Sequence, residues 1–215
     1  SVLGKGGVGT VYLVLDEQLN RKVAMKVIHE NLMADKVACM RFREEGQIAS
    51  QMQHPNIIPI YDIGEAQKGR PYFTMPVIRG DTFQSVLNHL YVLSNNGQWA
   101  HTQDDWSFRR VIQSFMQTCE AVAHAHSKGV VHRDLKPANI MVGEHGETFV
   151  VDWGLAKVVS ETTTPIMTLR GEQEEHEVTE VGSIEGTPSF MSPEQAQGMF
   201  YDLDFSSDVY SLGAI

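Results

Sequence analysis

The residues best suited to chemistry in this chain lie in the segment 132–139, HRDLKPAN, which the triplet DWG follows. Their types and spacing suit phosphoryl transfer from a metal-bound nucleotide. Asp134 can accept the proton of an incoming hydroxyl, and Lys136 can balance charge on the transferring phosphate. Asn139 and Asp152 offer the oxygen ligands that Mg²⁺ or Mn²⁺ prefers. The segment therefore predicts a phosphotransfer site.

A glycine-rich segment occupies residues 4–11, GKGGVGTV. The pattern G-x-G-x-x-G-x-V is weak evidence alone, because a dinucleotide-binding turn shares its first six positions. In such a turn the glycines open a helix, whereas here residues 10–15 are β-branched and aromatic and predict a strand. Glycines between two strands form a flap whose amides can approach phosphates. The next predicted strand, residues 22–28, carries Lys26, and no GK[ST] opens a helix as in a Walker-type loop.

Together these motifs resemble those of bacterial serine/threonine protein kinases of the eukaryotic-like, or Hanks, type, from the first glycine to the last residue. The resemblance implies a two-lobed α+β fold. Residues 1–78 would form an N-lobe, with an antiparallel sheet, one helix and the hinge, and residues 79–215 a mainly helical C-lobe. We expect a catalytic-domain fragment truncated at both ends. Its first strand would be mostly missing, and its last helix, capped by Ser206 or Ser207, would be cut short.

In this family the lysine of the strand that follows the glycine-rich hairpin turn contacts the α- and β-phosphates and is held by a glutamate on the following helix. Glu44 and Glu45 both compete for that role toward Lys26. Related bacterial kinases place this glutamate about nine residues before a His-Pro pair, so the resemblance favours Glu45 over Glu44, which would then face solvent. Glycine at position 46 makes the helix about 1 kcal/mol less stable than alanine would. It could make the helix easier to displace, or it could reflect drift.

Residues 57–64 and 71–75 predict two strands that complete a five-stranded sheet. By the resemblance, Met75 gates the back of an adenine pocket and residues 76–78 form the hinge. Pro76 lacks only its N–H, so its carbonyl and the Ile78 N–H can still bind adenine. The nucleotide-binding residues that the resemblance implies are Leu3, Gly4, Gly6, Gly9, Val11, Ala24, Lys26, Met75, Pro76, Ile78 and Met141.

Two helices are predicted after the hinge, a short amphipathic one over residues 86–93 and a longer one over residues 106–127. We expect the longer helix to be buried and central and to end at Gly129. The apolar residues that recur at helical spacing in the longer helix are Val111, Ile112, Phe115, Met116, Cys119, Val122 and Ala123.

Three histidines, His124, His126 and His132, could suggest a metal site, but neither thiolates nor a complete ligand set accompanies them. The resemblance gives His132 a packing role beneath Trp153 instead. The sequence therefore favours packing of these rings against other side chains over their meeting at one metal ion.

Composition narrows the class of protein. The chain has 215 residues and is 42% hydrophobic, which is enough for the core of one or two domains. A net charge of −10 argues against nucleic acid as a partner. Two cysteines, Cys39 and Cys119, indicate neither a disulfide framework nor a zinc site. Without a signal peptide or a long apolar run, we expect a cytoplasmic domain, which missing parts could anchor to a membrane.

The segment between Asp152 and Glu194 is long and largely polar. By the resemblance, residues 186–194 form its substrate-docking end, and Glu194 pairs with an arginine in the missing part. Arg133 is the family's hallmark of control by loop phosphorylation, because a guanidinium can hold a phosphate bidentately. Thr179 and Ser183 are the candidate sites.

The sequence thus predicts a protein kinase that uses ATP and Mg²⁺ or Mn²⁺ to phosphorylate serine or threonine in proteins. Lys136, in an LKPxN setting, favours these substrates over tyrosine. Dimerisation for autophosphorylation is possible. One alternative is a pseudokinase, which the complete set of catalytic residues disfavours. The other is a small-molecule phosphotransferase of kinase-like fold, which the segment 187–194 disfavours.

Overall fold

The computed structural model describes residues 1–95, 106–159, 166, 186–199 and 202–215. Its N-terminal part is a five-stranded antiparallel sheet with one long helix. The helix is α1, Lys36–Gln51. The strands are β1 Val2–Lys5, β2 Gly9–Asp16, β3 Arg21–Ile28, β4 Asp62–Glu65 and β5 Pro71–Met75, in the sheet order β1-β2-β3-β5-β4.

The hairpin of β2 and β3 is the frame of this sheet. It pairs without interruption from Gly9 opposite Ile28 to Asp16 opposite Arg21. Both strands are rich in β-branched residues, which favour the extended conformation. Asp16 closes the turn, since its carboxylate accepts the Leu19 N–H at 3.1 Å and the Arg21 Nε–H at 3.2 Å. The predicted strand–turn–strand unit is confirmed.

The first strand is present, so the expectation that it would be mostly missing was wrong. Val2–Lys5 pairs with β2, with an irregular register between Val2 and Gly4. Ser1 extends the pairing, because its backbone N–H and carbonyl both bond to Leu13. The few residues before the glycines are therefore enough to build the edge of the sheet.

The strand predicted over residues 57–64 was wrong in its first half, since β4 begins only at Asp62. Pro59 has no N–H to donate to a neighbouring strand. The preceding residues pair elsewhere: the Asn56 amide donates to the Thr148 carbonyl at 2.9 Å, and the Val150 N–H donates to the Asn56 carbonyl at 2.8 Å. This stretch thus joins the N-terminal part to the C-terminal part.

Helix α1 packs against the sheet along a wide arc. Asp35 caps its first turn by accepting two backbone N–H groups. The arc includes Glu44, which is only 9% exposed, so the expectation that it faces solvent was wrong. Gly46 lies in the same arc, and a Cβ there would meet Ile63 Cδ1 at 3.1 Å and Phe73 Cδ1 at 3.3 Å. Glycine at this position therefore allows the helix to approach β4 and β5 closely.

The C-terminal part is mainly helical, with short strand pairs around the site, and the expected α+β class is confirmed. Its helices are α2 Phe83–Asn95, α3 Phe108–Ser127, α4 Pro193–Ala196 and α5 Phe205–Ala214. Its strands are β6 Gly80–Thr82, β7 Val130–Val131, β8 Ile140–Gly143, β9 Thr148–Val150 and β10 Lys157–Val158. They form the sheets β6-β8-β9 and β10-β7.

Helix α3 is central, but the face it buries differs from the predicted one. Ile112 and Met116 are 41% and 57% exposed, and Ala123 is also exposed. Small residues suit a close contact between a helix and neighbouring strands, whereas the longer apolar side chains of α3 lie beside that contact. The fully buried face consists of Ser114, Thr118, Ala121, Val122 and Ala125.

Helix α5 starts two or three residues earlier than expected, because Asp204, and neither Ser206 nor Ser207, caps it by accepting the Ser206 N–H at 2.7 Å. Inside the helix, Asp208 is fully buried. A buried carboxylate requires partners, and its partners lie in the candidate site. Among the described helices, none is both long enough and apolar enough to cross a membrane.

Candidate functional site

A cavity of about 670 Å³ lies between the five-stranded sheet and the C-terminal part. The glycine-rich loop, β3 and α1 line one side, and the segments after β5 and around β8 line the other. Its lining includes every residue predicted to bind nucleotide, namely Leu3, Gly4, Gly6, Gly9, Val11, Ala24, Lys26, Met75, Pro76, Ile78 and Met141.

The glycine-rich loop folds back on itself, with the Gly6 N–H donating to the Gly9 carbonyl at 2.9 Å. Gly9 is fixed by packing, because a Cβ there would lie 2.7 Å from the Val27 carbonyl oxygen. At Gly4 a Cβ would meet nothing within 4 Å. The loop thus leaves its own side of the cavity open, which fits a ligand as bulky as a triphosphate.

Lys26 projects from β3 to Glu45 on α1. Its Nζ donates to both carboxylate oxygens, at 2.6 and 2.7 Å, and lies 3.6 Å from Asp152 Oδ1. Burial disfavours the ammonium, but the carboxylates of Glu45 and Asp152 outweigh it and raise the pKa of Lys26. Burial raises the pKa of Glu45, and the Lys26 ammonium opposes that shift. The glutamate favoured by the sequence is thus the one that contacts the lysine.

Asp134 is the centre of a polar cluster on the opposite side. Lys136 Nζ donates to its Oδ2 at 2.6 Å, and the Asn139 amide donates to the same oxygen at 3.1 Å. The Thr187 hydroxyl donates to Asp134 Oδ1 at 2.9 Å and accepts from Lys136 Nζ at 2.7 Å. A carboxylate oxygen, an ammonium and an aliphatic hydroxyl therefore meet at one point. Thr187 was not predicted as a member of this cluster.

Asn139 and Asp152 have the donor set for a hard cation. The Asn139 amide NH₂ is already used toward Asp134, which leaves its amide oxygen for another ligand. The Asp152 side chain is half exposed, at 51%, and both residues line the cavity. Two oxygen ligands beside space for phosphates fit Mg²⁺, which is usually bound through one or two protein groups plus substrate phosphates.

Asp208 holds the loop that carries Asp134, and sequence reasoning missed it. Its carboxylate accepts the backbone N–H groups of His132 and Arg133 at 2.8 and 2.9 Å, and it lies 2.8 Å from His126 Nε2. The Gln195 amide also donates to the Arg133 carbonyl at 2.6 Å. An aspartate within the apolar stretch of a helix was the available signal, because buried charges need partners.

The three histidines pack rather than converge on a metal. The His132 ring lies 4.6 Å from the Trp153 ring, as expected, while His126 pairs with Asp208. His124 instead stacks on His54 at 5.1 Å. Within the described part of the chain, no group of three or more metal-ligating side chains occurs.

Trp153 is 1% exposed, and its indole N–H finds no hydrogen-bond partner among the described residues. A buried donor without a partner costs about 1–3 kcal/mol. The indole ring itself packs against the His132 ring at 4.6 Å.

The end of the long segment also contacts the site. Glu194, whose expected partner is an arginine, accepts the Ser207 hydroxyl at 2.6 Å. Burial by itself would raise the pKa of Glu194. Hydrogen bonds from Ser192 and Ser207 outweigh that effect and lower the pKa of Glu194 below its ordinary value. The side chain of Arg133 is buried, at 8% exposure. The candidate phosphorylation sites Thr179 and Ser183 lie outside the described residues.

Comparisons with known proteins agree on one family. The family profile described as the protein kinase domain matches residues 1–215. The serine/threonine-protein kinase PknD of Protochlamydia amoebophila is 37% identical over 99% of this chain and 22% of that protein. The serine/threonine-protein kinases PknB of Mycolicibacterium smegmatis and Mycobacterium tuberculosis are 35% and 34% identical over 100% of this chain. The chain spans 22% to 30% of the length of these relatives.

Proposed function

This chain belongs to the protein kinase domain family, and from that premise we propose that it transfers the γ-phosphate of ATP to serine or threonine hydroxyls of proteins. The relatives are named serine/threonine-protein kinases. In this assignment, residues 1–78 form an N-lobe and residues 79–215 a C-lobe, with the nucleotide between them. The cavity between them supplies the binding site, with adenine between Val11, Ala24 and Met141.

The observation that carries the proposal is the contact of Thr187 with Asp134. An aliphatic hydroxyl lies 2.9 Å from Asp134 Oδ1, the distance at which a carboxylate can act as a general base. A substrate hydroxyl that takes the same place would pass its proton to Asp134. Lys136, 2.7 Å from that hydroxyl, would stabilise charge on the transferring phosphate.

On the other side of the cavity, we assign Lys26 the orientation of the α- and β-phosphates. Glu45 keeps its ammonium in place, and the raised pKa of Lys26 keeps it charged. Asn139 and Asp152 would hold Mg²⁺, which supplies charge neutralisation at the phosphate oxygens when bound.

We also propose that this domain is regulated by phosphorylation of the segment between Asp152 and Glu194. Arg133 would receive a phosphate placed on Thr179 or Ser183, which adds a charge of about −1.5 to −2 that a guanidinium binds well. Autophosphorylation could use a dimer of this domain. Because the reaction consumes ATP, we place this domain in the cytoplasm.

The test is phosphorylation of a generic protein with labelled ATP by the intact protein. Asp134→Asn should keep ATP binding and lower the rate by about 10²–10⁴. Asp62→Asn, an exposed change on β4, is the control and should keep full activity. A chelator should abolish transfer by the wild type. Full activity of Asp134→Asn would contradict the assignment, while nucleotide binding without transfer by the wild type would indicate a pseudokinase.

Transfer to a small-molecule panel but to no protein would instead indicate a phosphotransferase of another substrate class. Mass spectrometry after incubation with ATP tests the regulatory part. Modification between Thr162 and Thr187 in the wild type, at Thr179 or Ser183 above all, and none in Asp134→Asn, is the expected result.

A further inference from the structure

His29 contacts the glycine-rich loop twice, although it lies outside the motifs that predict the site. It follows β3 directly and is half-buried. Its backbone N–H donates to the Val8 carbonyl at 2.9 Å. Its ring Nε2 lies 3.1 Å from the hydroxyl of Thr10. One residue therefore holds both the backbone and a side chain of the loop's second arm.

Thr10 is well placed to transmit this contact. It is 5% exposed and follows Gly9, which packs against the Val27 carbonyl so closely that no side chain fits. Each of these contacts fixes the arm that leads from the glycines into β2. The first arm is held by the short pairing of β1 with β2, whose register is irregular between Val2 and Gly4.

His29 also leads toward the helix that carries Glu45. The short helical turn Glu30–Leu32 follows it, and Leu32 and Met33 pack against the buried cluster of Ile28, Phe42 and Phe73. Asp35 then caps α1. A displacement of His29 would therefore reach the glycine-rich loop and the start of α1 together.

We propose that His29 is a positioning residue for phosphoryl transfer, which acts through Thr10 to hold the glycine-rich loop over the phosphate end of the cavity. This inference rests on the proposed function of the same site. An imidazole suits the task, because a threonine hydroxyl both donates and accepts and can bond to Nε2 in either tautomer or in the protonated form. His29 itself touches neither substrate nor metal in this assignment.

The test uses paired variants of the intact protein. Thr10→Val removes the hydroxyl at nearly constant volume, and Thr10→Ser restores it. His29→Phe keeps a ring without the nitrogen. Loss of one such hydrogen bond should raise the KM for ATP, and the Kd for a fluorescent ATP analogue with Mg²⁺, about two- to tenfold in Thr10→Val and His29→Phe. We expect kcat to change less than KM and Thr10→Ser to behave as wild type.

Thr148→Val is the matched control, since the buried Thr148 hydroxyl has no hydrogen-bond partner among the described residues. It should leave KM and Kd unchanged. A lower Tm with unchanged KM and Kd in Thr10→Val and His29→Phe would show a purely structural role and overturn the proposal. If the wild type binds the analogue but transfers no phosphate, the proposed function fails alone, and the Kd series still decides the role of His29.

Discussion

The two sides of the cavity are held by different kinds of contact. On the C-terminal side, the backbone of the segment 132–139 bonds to Asp208, a carboxylate with no solvent exposure. On the N-terminal side, Lys26 is held by side-chain contacts to Glu45 and Asp152, and Glu45 depends on the position of α1. The difference suggests a division of labour. In the proposed mechanism, the base Asp134 is placed by backbone hydrogen bonds to Asp208, whereas Lys26 is placed by side-chain contacts that depend on α1.

The largest expected effect tests the side that is held by Asp208. Asp208→Asn would place an amide NH₂ toward backbone N–H donors and remove the carboxylate charge that accepts from His132 N–H and Arg133 N–H. A hydrogen bond to a charged acceptor contributes about 1.5–3 kcal/mol, so the loss of these two bonds costs about 3–5 kcal/mol. We expect the free energy of unfolding, measured by urea titration, to fall by that amount and activity to disappear. An unchanged unfolding midpoint would remove the basis of the comparison.

The next effect tests the side that is held by side-chain contacts. Glu45→Gln keeps the shape of the side chain but loses one charge-assisted pair, worth about 1.5–3 kcal/mol. Because Asp152 remains 3.6 Å from Lys26, we expect kcat/KM to fall about 10- to 100-fold and stability to fall less than in Asp208→Asn. Measured side by side, a larger loss of stability in Glu45→Gln would reverse the proposed division of labour.

Gly46 sharpens the same contrast, because it sets how closely α1 approaches the sheet. In Gly46→Ala, the helical gain of about 1 kcal/mol is offset by crowding against Ile63 and Phe73, so stability should hardly change. Gly46→Val should overpack the contact, costing about 1–3 kcal/mol, and lower kcat/KM by shifting Glu45. Thermal unfolding and steady-state kinetics of the pair provide the measurement. Equal kinetics in both variants would mean that α1 tolerates displacement without effect on Lys26.

The smallest effect concerns His124 and His54, which stack where α3 meets the turn after α1. Burial, His54 and Lys128 all lower the pKa of His124. The unfolded chain therefore binds more protons here than the folded protein, so stability falls as pH drops below about 6.5. His124→Phe should lessen the loss of Tm between pH 7.5 and pH 5.5. An identical loss of Tm in the variant and the wild type would show that His124 does not contribute.

Sequence alone predicted the contacts that depend on local spacing. The strands around the glycine-rich loop follow from β-branched residues, and the contact of Lys26 with Glu45 followed from the family resemblance and the distance of Glu45 from the His-Pro pair. The burial of Glu44 could not be read in this way, because the width of a helix contact depends on what packs against it.

Contacts between distant segments were missed for the same reason. Thr187 reaches Asp134 across 53 positions of the chain, and Asp208 reaches His132 across 76. The composition of the segment before β4 predicted a strand. In the structure, Asn56 at its start instead bonds to Thr148 in the C-terminal part. The apolar period of α3 likewise marked a helix correctly without showing that its small residues make the closest contacts.

Trp153 gives the protein an optical reporter at its own site. Indole emission depends on polarity and on neighbouring imidazoles, and this indole is buried against His132 beside the cavity. Any rearrangement of the DWG triplet would move the ring into a different medium and change its spectrum. Trp106, under the Arg110 guanidinium at 4.2 Å, is one of the other two tryptophans in the chain. A Trp153→Phe difference spectrum would therefore isolate the signal and follow the site in real time without an added dye.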